Sequence, residues 1–145
     1  MREAEMRAGI RVALQSLNED AERAIRQELA APLDLGHSGR LQFEVCPYFF
    51  GIHLVQTEEC ILEDSVILDA MTPQLRDAAD AADLDLYTAL GEELFPWFAE
   101  RWLAAEGPTH FRPAYAIFHG GLDEPRYDLE QRRWCSVEEV WPEEV

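Results

Sequence analysis

Polar and apolar residues alternate with a period of two in one short stretch of the chain, LQFEV at residues 41–45. This alternation predicts a strand with one buried face. Pro47 is expected to end or bulge the strand, because proline has no N–H to donate to a ladder. The nearly continuous apolar run Tyr48–Val55 then predicts a second strand, covered on both faces, in which Gly51 marks a bulge or a close backbone approach. We expect this pair of strands to form the centre of the fold.

Spacings of three and four residues between apolar positions predict helices on either side of this centre. The first helix covers Met1–Ala30 and is expected to break near Leu17–Asp20, where Asn18 can cap a second helix. A short helix is expected to start at Thr72-Pro73, with threonine as the N-cap and proline as the first helical residue.

A second helix, longer than this one, is predicted from about Asp83 to Glu106, with acidic residues at its start that favour the helix dipole. Its apolar residues recur every four positions and form a stripe that is typical of a core-facing helix. The stripe consists of Leu86, Leu90, Leu94, Phe98 and Trp102. Pro96 is expected to kink this helix or to divide it in two, because proline removes a backbone hydrogen bond.

Two further regions carry strand signals. Cys60–Met71 predicts one or two strands, which would be joined by a hairpin tip at Glu63–Ser65. Pro113–His119 predicts a buried strand, and Arg126–Leu129 predicts the strand that returns beside it.

Helix, strands, helices and a hairpin follow one another without regular alternation, so the predicted class is α+β with a mainly antiparallel sheet. We expect about four to six strands, packed with an N-terminal helix and a central helical segment. The length of 145 residues is that of one ordinary domain, so residues 1–145 are expected to form a single domain with one core.

The composition is strongly acidic: 29 acidic residues oppose 12 basic residues, and the formal net charge is −17. Nucleic acids and anionic membranes attract basic surfaces, so neither is an expected partner. Every basic residue is arginine, which indicates a GC-rich bacterial coding bias. Three widely spaced cysteines and the lack of a secretory signal indicate reduced thiols and a cytoplasmic location.

The acidic residues cluster between residues 58 and 106, where only Arg76 and Arg101 oppose them. One interpretation is an acidic surface that keeps the protein soluble. The other is a binding surface for a basic partner, since acidic side chains steer the association of a positively charged protein. The residues predicted to contact such a partner are Asp80, Asp83, Asp85, Glu92 and Glu93.

The chain lacks the sequence motifs of the common nucleotide-binding proteins, zinc proteases and serine hydrolases, so no catalytic residue, metal ligand or cofactor is predicted. Two histidines in predicted strands, His53 and His119, could meet Asp128 if their strands were neighbours. A pocket for a small ligand could then form beside the glycine-bearing loop that carries Asp123 and Arg126. The alternative is that His53 is a core histidine and that the loop is an ordinary hairpin connection.

These features lead to three hypotheses about function. The first is a protein-interaction module for a basic partner. Immunity proteins and inhibitors are often small, acidic α+β proteins, and the chain resembles them in these general properties, although it shares no sequence motif with them. The second is a small-ligand-binding protein or metal-assisted enzyme with a pocket near His53, His119 and Asp128. The third is a structural subunit of a homo-oligomer, with Trp134 and Trp141 at the interface if they are exposed.

Overall fold

The structure is a computed structural model, and it describes residues 2–28, 41–45, 51–55, 59–105, 114–118 and 126–136. Its helices in these ranges are α1 (Glu3–Gln15), α2 (Asn18–Glu28), α3 (Asp64–Ala70), α4 (Pro73–Asp80) and α5 (Leu84–Ala104). Its strands are β1 (Leu41–Val45), β2 (Ile52–Leu54), β3 (Cys60–Leu62), β4 (Ala114–Phe118), β5 (Arg126–Asp128) and β6 (Arg133–Cys135). The predicted α+β class is confirmed.

The strands form one sheet in the order β3-β2-β1-β4-β5-β6. The two central strands, β1 and β4, run parallel, with Phe43 opposite Ala116, while the other neighbouring pairs run antiparallel. Parallel neighbours need a long crossover, and here β2, β3 and the helices α3, α4 and α5 lie between β1 and β4 along the chain. The sequence pattern did not predict this parallel pair.

Helix α5 contributes more buried residues than any other element of the described fold. Ten of its residues are buried, including the whole predicted apolar stripe. Phe98 and Trp102 meet Phe43 of β1 edge-on, with ring centroids 5.0 and 5.5 Å apart. On its other sides α5 contacts α1, α2 and α4. The centre of the fold is therefore the contact between this helix and β1, and not the strand pair of residues 41–55 alone.

Proline does not divide this helix. Of the two outcomes predicted at Pro96, a kink or a division in two, the division does not occur, because helix α5 continues from Leu84 to Ala104. Phe95 and Phe98, on either side of the proline, are both fully buried. Packing of both halves into one core offsets the backbone hydrogen bond that proline removes.

Of the one or two strands predicted within Cys60–Met71, the structure contains one, β3 (Cys60–Leu62), whereas residues 64–70 form the helix α3. Ile67 and Met71 are both buried and stand one helical turn apart. Helix α3 contacts α1. Tertiary packing therefore overrides the β propensity of Val66–Leu68.

The break in the first predicted helix is confirmed, since α1 ends at Gln15 and α2 begins at Asn18. The Oδ1 atom of Asn18 accepts a hydrogen bond from Nε1 of Trp97 on α5 at 2.7 Å.

None of the helices in the described part of the chain combines the length and the apolar character needed to cross a membrane.

Candidate protein-binding surface

The connection between α4 and α5 is a tight turn built from backbone hydrogen bonds. The N–H of Ala82 donates to the carbonyl of Ala79 at 3.0 Å, and the N–H of Asp83 donates to the carbonyl of Ala78 at 3.0 Å. This pair of bonds forms a Schellman motif, in which the residue that follows the C-cap adopts a left-handed conformation. Ala82 does so with a φ of 55°, although glycine is the usual residue at such a position.

Asp83 closes this motif and also begins α5. Its Oδ1 atom accepts hydrogen bonds from the N–H of Asp85 at 2.9 Å and from the N–H of Leu86 at 3.4 Å. An aspartate at the N-cap satisfies backbone donors that the helix leaves unpaired, and its charge favours the positive end of the helix dipole. Both ends of the turn are therefore held by hydrogen bonds.

Residues 80–85 form a surface that we call the acidic turn. Asp80 and Asp85 are exposed and Asp83 is partly exposed. Leu84 lies between two of these aspartates with 73% of its surface exposed. Within the described ranges no arginine forms an ion pair with the three carboxylates, not even Arg76, which stands one helical turn before Asp80. Among the residues that the structure describes, the turn therefore presents three carboxylates without an ion-pair partner around an apolar side chain.

A cleft of about 400 Å³ adjoins the acidic turn, between the start of α1, α4 and the start of α5. The residues that line it are Glu3, Met6, Arg7, Gln74, Ala78, Asp83, Asp85 and Thr88. Gly9 allows α1 to approach α4 closely, because a Cβ atom at this position would stand 2.9 Å from Cδ1 of Leu75. Two of the predicted partner-binding residues, Asp83 and Asp85, thus line a mostly polar cleft.

The two predicted glutamates of α5 lie in a different environment, where they bind arginines of α1. Arg11 contacts both carboxylate oxygens of Glu93, with Nη2 2.8 Å from Oε1 and Nε 2.9 Å from Oε2. Arg7 donates to Glu92 at 2.6 Å, to Glu3 at 3.1 Å and to Glu93 at 3.3 Å. We call these five residues the α1–α5 ion-pair network. It fastens the first helix to the central one.

The electrostatic effect of this network is visible in the pKa values of its members. Hydrogen bonds from Arg11, and secondarily from Arg7, hold the pKa of Glu93 below its ordinary value despite some burial of the carboxylate. The pKa of Arg7 is raised by its hydrogen bonds to Glu92 and Glu3, and that of Arg11 by its hydrogen bonds to Glu93. Glu93, Arg7 and Arg11 are therefore held in their charged forms.

The five residues predicted to contact a basic partner thus divide into two groups. Asp80, Asp83 and Asp85 belong to the acidic turn and have no arginine partner in the described ranges. Glu92 and Glu93 form ion pairs with Arg7 and Arg11 of α1. Within the described ranges, only the first group consists of carboxylates without an ion-pair partner.

The residues of the predicted small-ligand pocket are not brought together where the structure describes them. His53 lies on β2 and Asp128 on β5, and both β1 and β4 separate these strands. Three strand spacings correspond to about 14 Å, so the two side chains do not share a site. His119 and Asp123 lie outside the described residues.

Asp128 and Arg126 are buried, with 4% and 3% of their surfaces exposed. The Oδ1 atom of Asp128 accepts hydrogen bonds from the N–H groups of Glu130 and Gln131 at 2.9 and 3.0 Å. This arrangement is an Asx turn that shapes the connection between β5 and β6. Asp128 therefore has a structural role in the turn.

A separate cavity of about 320 Å³ lies beside His53. Gly51, Cys60, Glu63 and Asp64 are its other lining residues. Gly51 leaves room for the imidazole, because a Cβ atom there would stand 3.3 Å from Nε2 of His53. In the part of the chain that the structure describes, no group of three His, Cys, Asp or Glu side chains could hold a metal ion.

Trp134 lies on the outermost strand β6, with 47% of its surface exposed. Its ring packs edge-on against Phe95 of α5 and Tyr127 of β5, at centroid distances of 5.0 and 5.2 Å. The indole therefore closes the edge of the core and also reaches solvent. Trp141 lies outside the described residues.

Three features of the surface were not identified from the sequence. Arg7 and Arg11 stand one turn apart on α1, and this spacing was the available signal for a basic stripe that could neutralise acids elsewhere. Nothing in the sequence indicates that Leu84 is exposed, because it is as hydrophobic as the buried leucines that follow it. Nothing indicates the left-handed conformation of Ala82 either, since alanine rarely adopts it.

No protein-family model matches the chain, and neither a curated protein nor a solved structure matches it. Function is therefore inferred from the chemistry of the surface itself.

Proposed function

We propose that the protein is an interaction module that binds a basic protein partner through the acidic turn, in the manner of an immunity protein or inhibitor. The observation that carries this proposal is the contrast between two sets of acids. Glu92 and Glu93 form ion pairs with arginines of α1, whereas the aspartates of the acidic turn form none in the described ranges.

The charge of the surrounding chain strengthens this contrast. Residues 59–85 contain eight acidic side chains and a single basic one, Arg76. A surface of one sign raises the rate at which an oppositely charged partner associates, by about ten- to a thousand-fold at low ionic strength. Such steering is most useful to a protein that must find a basic target quickly, as an inhibitor must.

The order of the turn also suits a binding surface. The Schellman motif and the N-cap fix the backbone from Ala78 to Leu86 through hydrogen bonds. Little backbone entropy is then lost when a partner binds, and a preorganised surface binds more tightly than one that must be ordered first.

The experiment compares two double variants with the same change in charge. Asp80→Arg/Asp85→Arg reverses two aspartates of the acidic turn, one in the last turn of α4 and one in the first turn of α5. The control, Glu5→Arg/Glu19→Arg, reverses two exposed acids outside residues 59–85, in the first turns of α1 and α2.

Each protein is immobilised and exposed to a lysate of the organism that encodes the chain, and retained basic proteins are identified and then titrated as purified pairs. We expect the wild-type and control proteins to retain the same basic protein, and the acidic-turn variant to bind it at least tenfold more weakly. Wild-type affinity should fall as salt is added, because the Debye length shortens. Equal affinities for both double variants, or retention of no basic protein by the wild type, would contradict the proposal.

A second candidate function is the binding of a small polar ligand in the cavity beside His53. The support for it is the cavity itself, which is lined by an imidazole, a thiol and two carboxylates. A ligand present at about 100 times its Kd should add about 2.7 kcal/mol to the free energy of unfolding. A thermal-melt screen of metabolites, repeated on His53→Ala, tests this candidate, and a screen without any shift that depends on His53 contradicts it.

A further inference from the structure

The exposed apolar residue of the acidic turn has no role in the described fold. Among the described large apolar residues Leu84 is the most exposed, at 73%, although it belongs to α5, whose other leucines are mostly buried. A single exposed leucine is common on protein surfaces and means little alone. Here, however, it stands between Asp83 and Asp85, on the surface where negative charge is uncompensated.

An apolar centre with a charged rim is the ordinary composition of a protein interface. The apolar side chain loses its contact with water when the partner binds, whereas the rim orients the partner and remains partly hydrated. Leu84 is also positioned by the turn, because Asp83 caps the helix at the residue immediately before it.

We infer that Leu84 is the apolar anchor of the acidic turn, and that the partner segment it binds presents apolar side chains between arginines or lysines. This inference rests on the proposed function and specifies the chemistry of the partner. Charge complementarity selects this partner over a second copy of the chain, because a second copy would bring its own aspartates against those of the first.

The probes are two synthetic peptides with equal numbers of arginines. In the first peptide leucines separate the arginines, and in the second serines take their places. Both are titrated against the wild-type protein, Leu84→Ser, Asp80→Arg/Asp85→Arg, and the control Val12→Ser. Val12 is a matched control because it is 67% exposed and lies on α1, away from the acidic turn in sequence and element.

We expect the leucine peptide to bind the wild-type protein about tenfold more tightly than the serine peptide, which is the size expected for burying one aliphatic side chain. This difference should disappear in Leu84→Ser and persist in Val12→Ser. The double reversal should weaken the binding of both peptides.

Each other outcome overturns a defined part of the inference. If the double reversal weakens both peptides but Leu84→Ser keeps the leucine preference, the acidic turn binds basic segments and Leu84 is not its anchor. If the double reversal changes neither affinity, the proposed function fails and the anchor fails with it. A wild-type dimer in sedimentation that Leu84→Ser abolishes would replace the basic partner by a second copy of the chain.

Discussion

Two acidic regions of one helix, α5, have opposite surroundings. At the start of the helix, Asp83 and Asp85 face solvent and a polar cleft, and in the described ranges no arginine forms an ion pair with them. Two turns later, Glu92 and Glu93 bind Arg7 and Arg11 of α1 and hold the first helix against the central one. The first region leaves its charge available to a partner, and the second uses its charge within the fold.

This difference shows that the density of acidic residues along a sequence does not distinguish binding surfaces from internal contacts. Both regions belong to the same acidic stretch, and both were predicted to contact a partner. What separates them is the position of two arginines more than eighty residues away in the chain. The following predictions test this comparison, from the largest expected effect to the smallest.

Charge reversal should destabilise one region strongly and the other only slightly. Glu93→Arg places a third arginine beside Arg7 and Arg11 and should lower the free energy of unfolding by about 2 to 3 kcal/mol. This loss is smaller than the loss expected when a fully buried ion pair is broken, because the site is partly hydrated. Asp85→Arg should lower it by about 0.5 kcal/mol, through the helix dipole alone. Urea unfolding of both variants measures the difference, and equal losses would refute the division into two regions.

Asp83 should contribute to stability as a cap, independently of its charge. Asp83→Ala removes the acceptor for the N–H groups of Asp85 and Leu86 and should cost about 1 kcal/mol. Asp83→Ser keeps an N-cap oxygen and should recover most of this loss, while it removes the negative charge. Thermal unfolding of the two variants separates the roles, and a serine variant as unstable as the alanine variant would show that the charge is what matters.

The pH dependence of stability should carry a contribution from Glu93. Because its pKa is lowered in the folded protein, Glu93 stabilises the fold fully above its ordinary pKa near 4.5 and loses this contribution as the pH falls through the lower, folded value. Glu93→Gln should therefore be less stable than the wild type at pH 7, by roughly 1 kcal/mol after allowance for solvent screening.

The comparison is made by urea unfolding of the wild type and Glu93→Gln at a series of pH values. The difference between them should shrink as the pH falls below about 4.5. A difference for Glu93→Gln that stays constant with pH would contradict the role assigned to the network.

The smallest effect is expected at the left-handed residue of the acidic turn. Ala82→Gly relieves the conformational cost of alanine at positive φ, which slightly exceeds the entropy that glycine loses on folding. The free energy of unfolding should rise by about 0.5 kcal/mol, measured by chemical unfolding. Ala81→Gly is the control at a residue whose φ is −81°, and it should be neutral or destabilising.

Local signals in the sequence predicted much of the fold. The alternation of residues 41–45 predicted β1, and Thr72-Pro73 and Asp83 predicted the starts of α4 and α5, because caps and periodicity act over a few residues. The errors lie where packing overrides propensity: residues 64–70 are helical because Ile67 and Met71 reach the core on one face, and α5 continues through Pro96 because both halves are buried. The organisation of the chain as a single domain stays a prediction.

The candidate surface was predicted in part. The acidic residues were identified by composition, and Asp80, Asp83 and Asp85 remain candidates for partner binding. The sequence could not show that Glu92 and Glu93 form ion pairs, because the arginines that bind them lie on α1, far away in the chain. The pocket that was to join His53 with Asp128 required neighbouring strands, and strand order is set by pairing between segments far apart in the chain.

The sequence by itself determined the α+β class, the strong negative charge and the local starts of helices, because each depends on composition or on contacts within a few residues. Only the tertiary structure decided that β1 and β4 pair in parallel, that α5 occupies the centre, and which acids meet arginines. These properties depend on long-range packing, where residues separated by most of the chain become neighbours. The same packing leaves Leu84 and its aspartates exposed at the start of a helix that is otherwise largely buried.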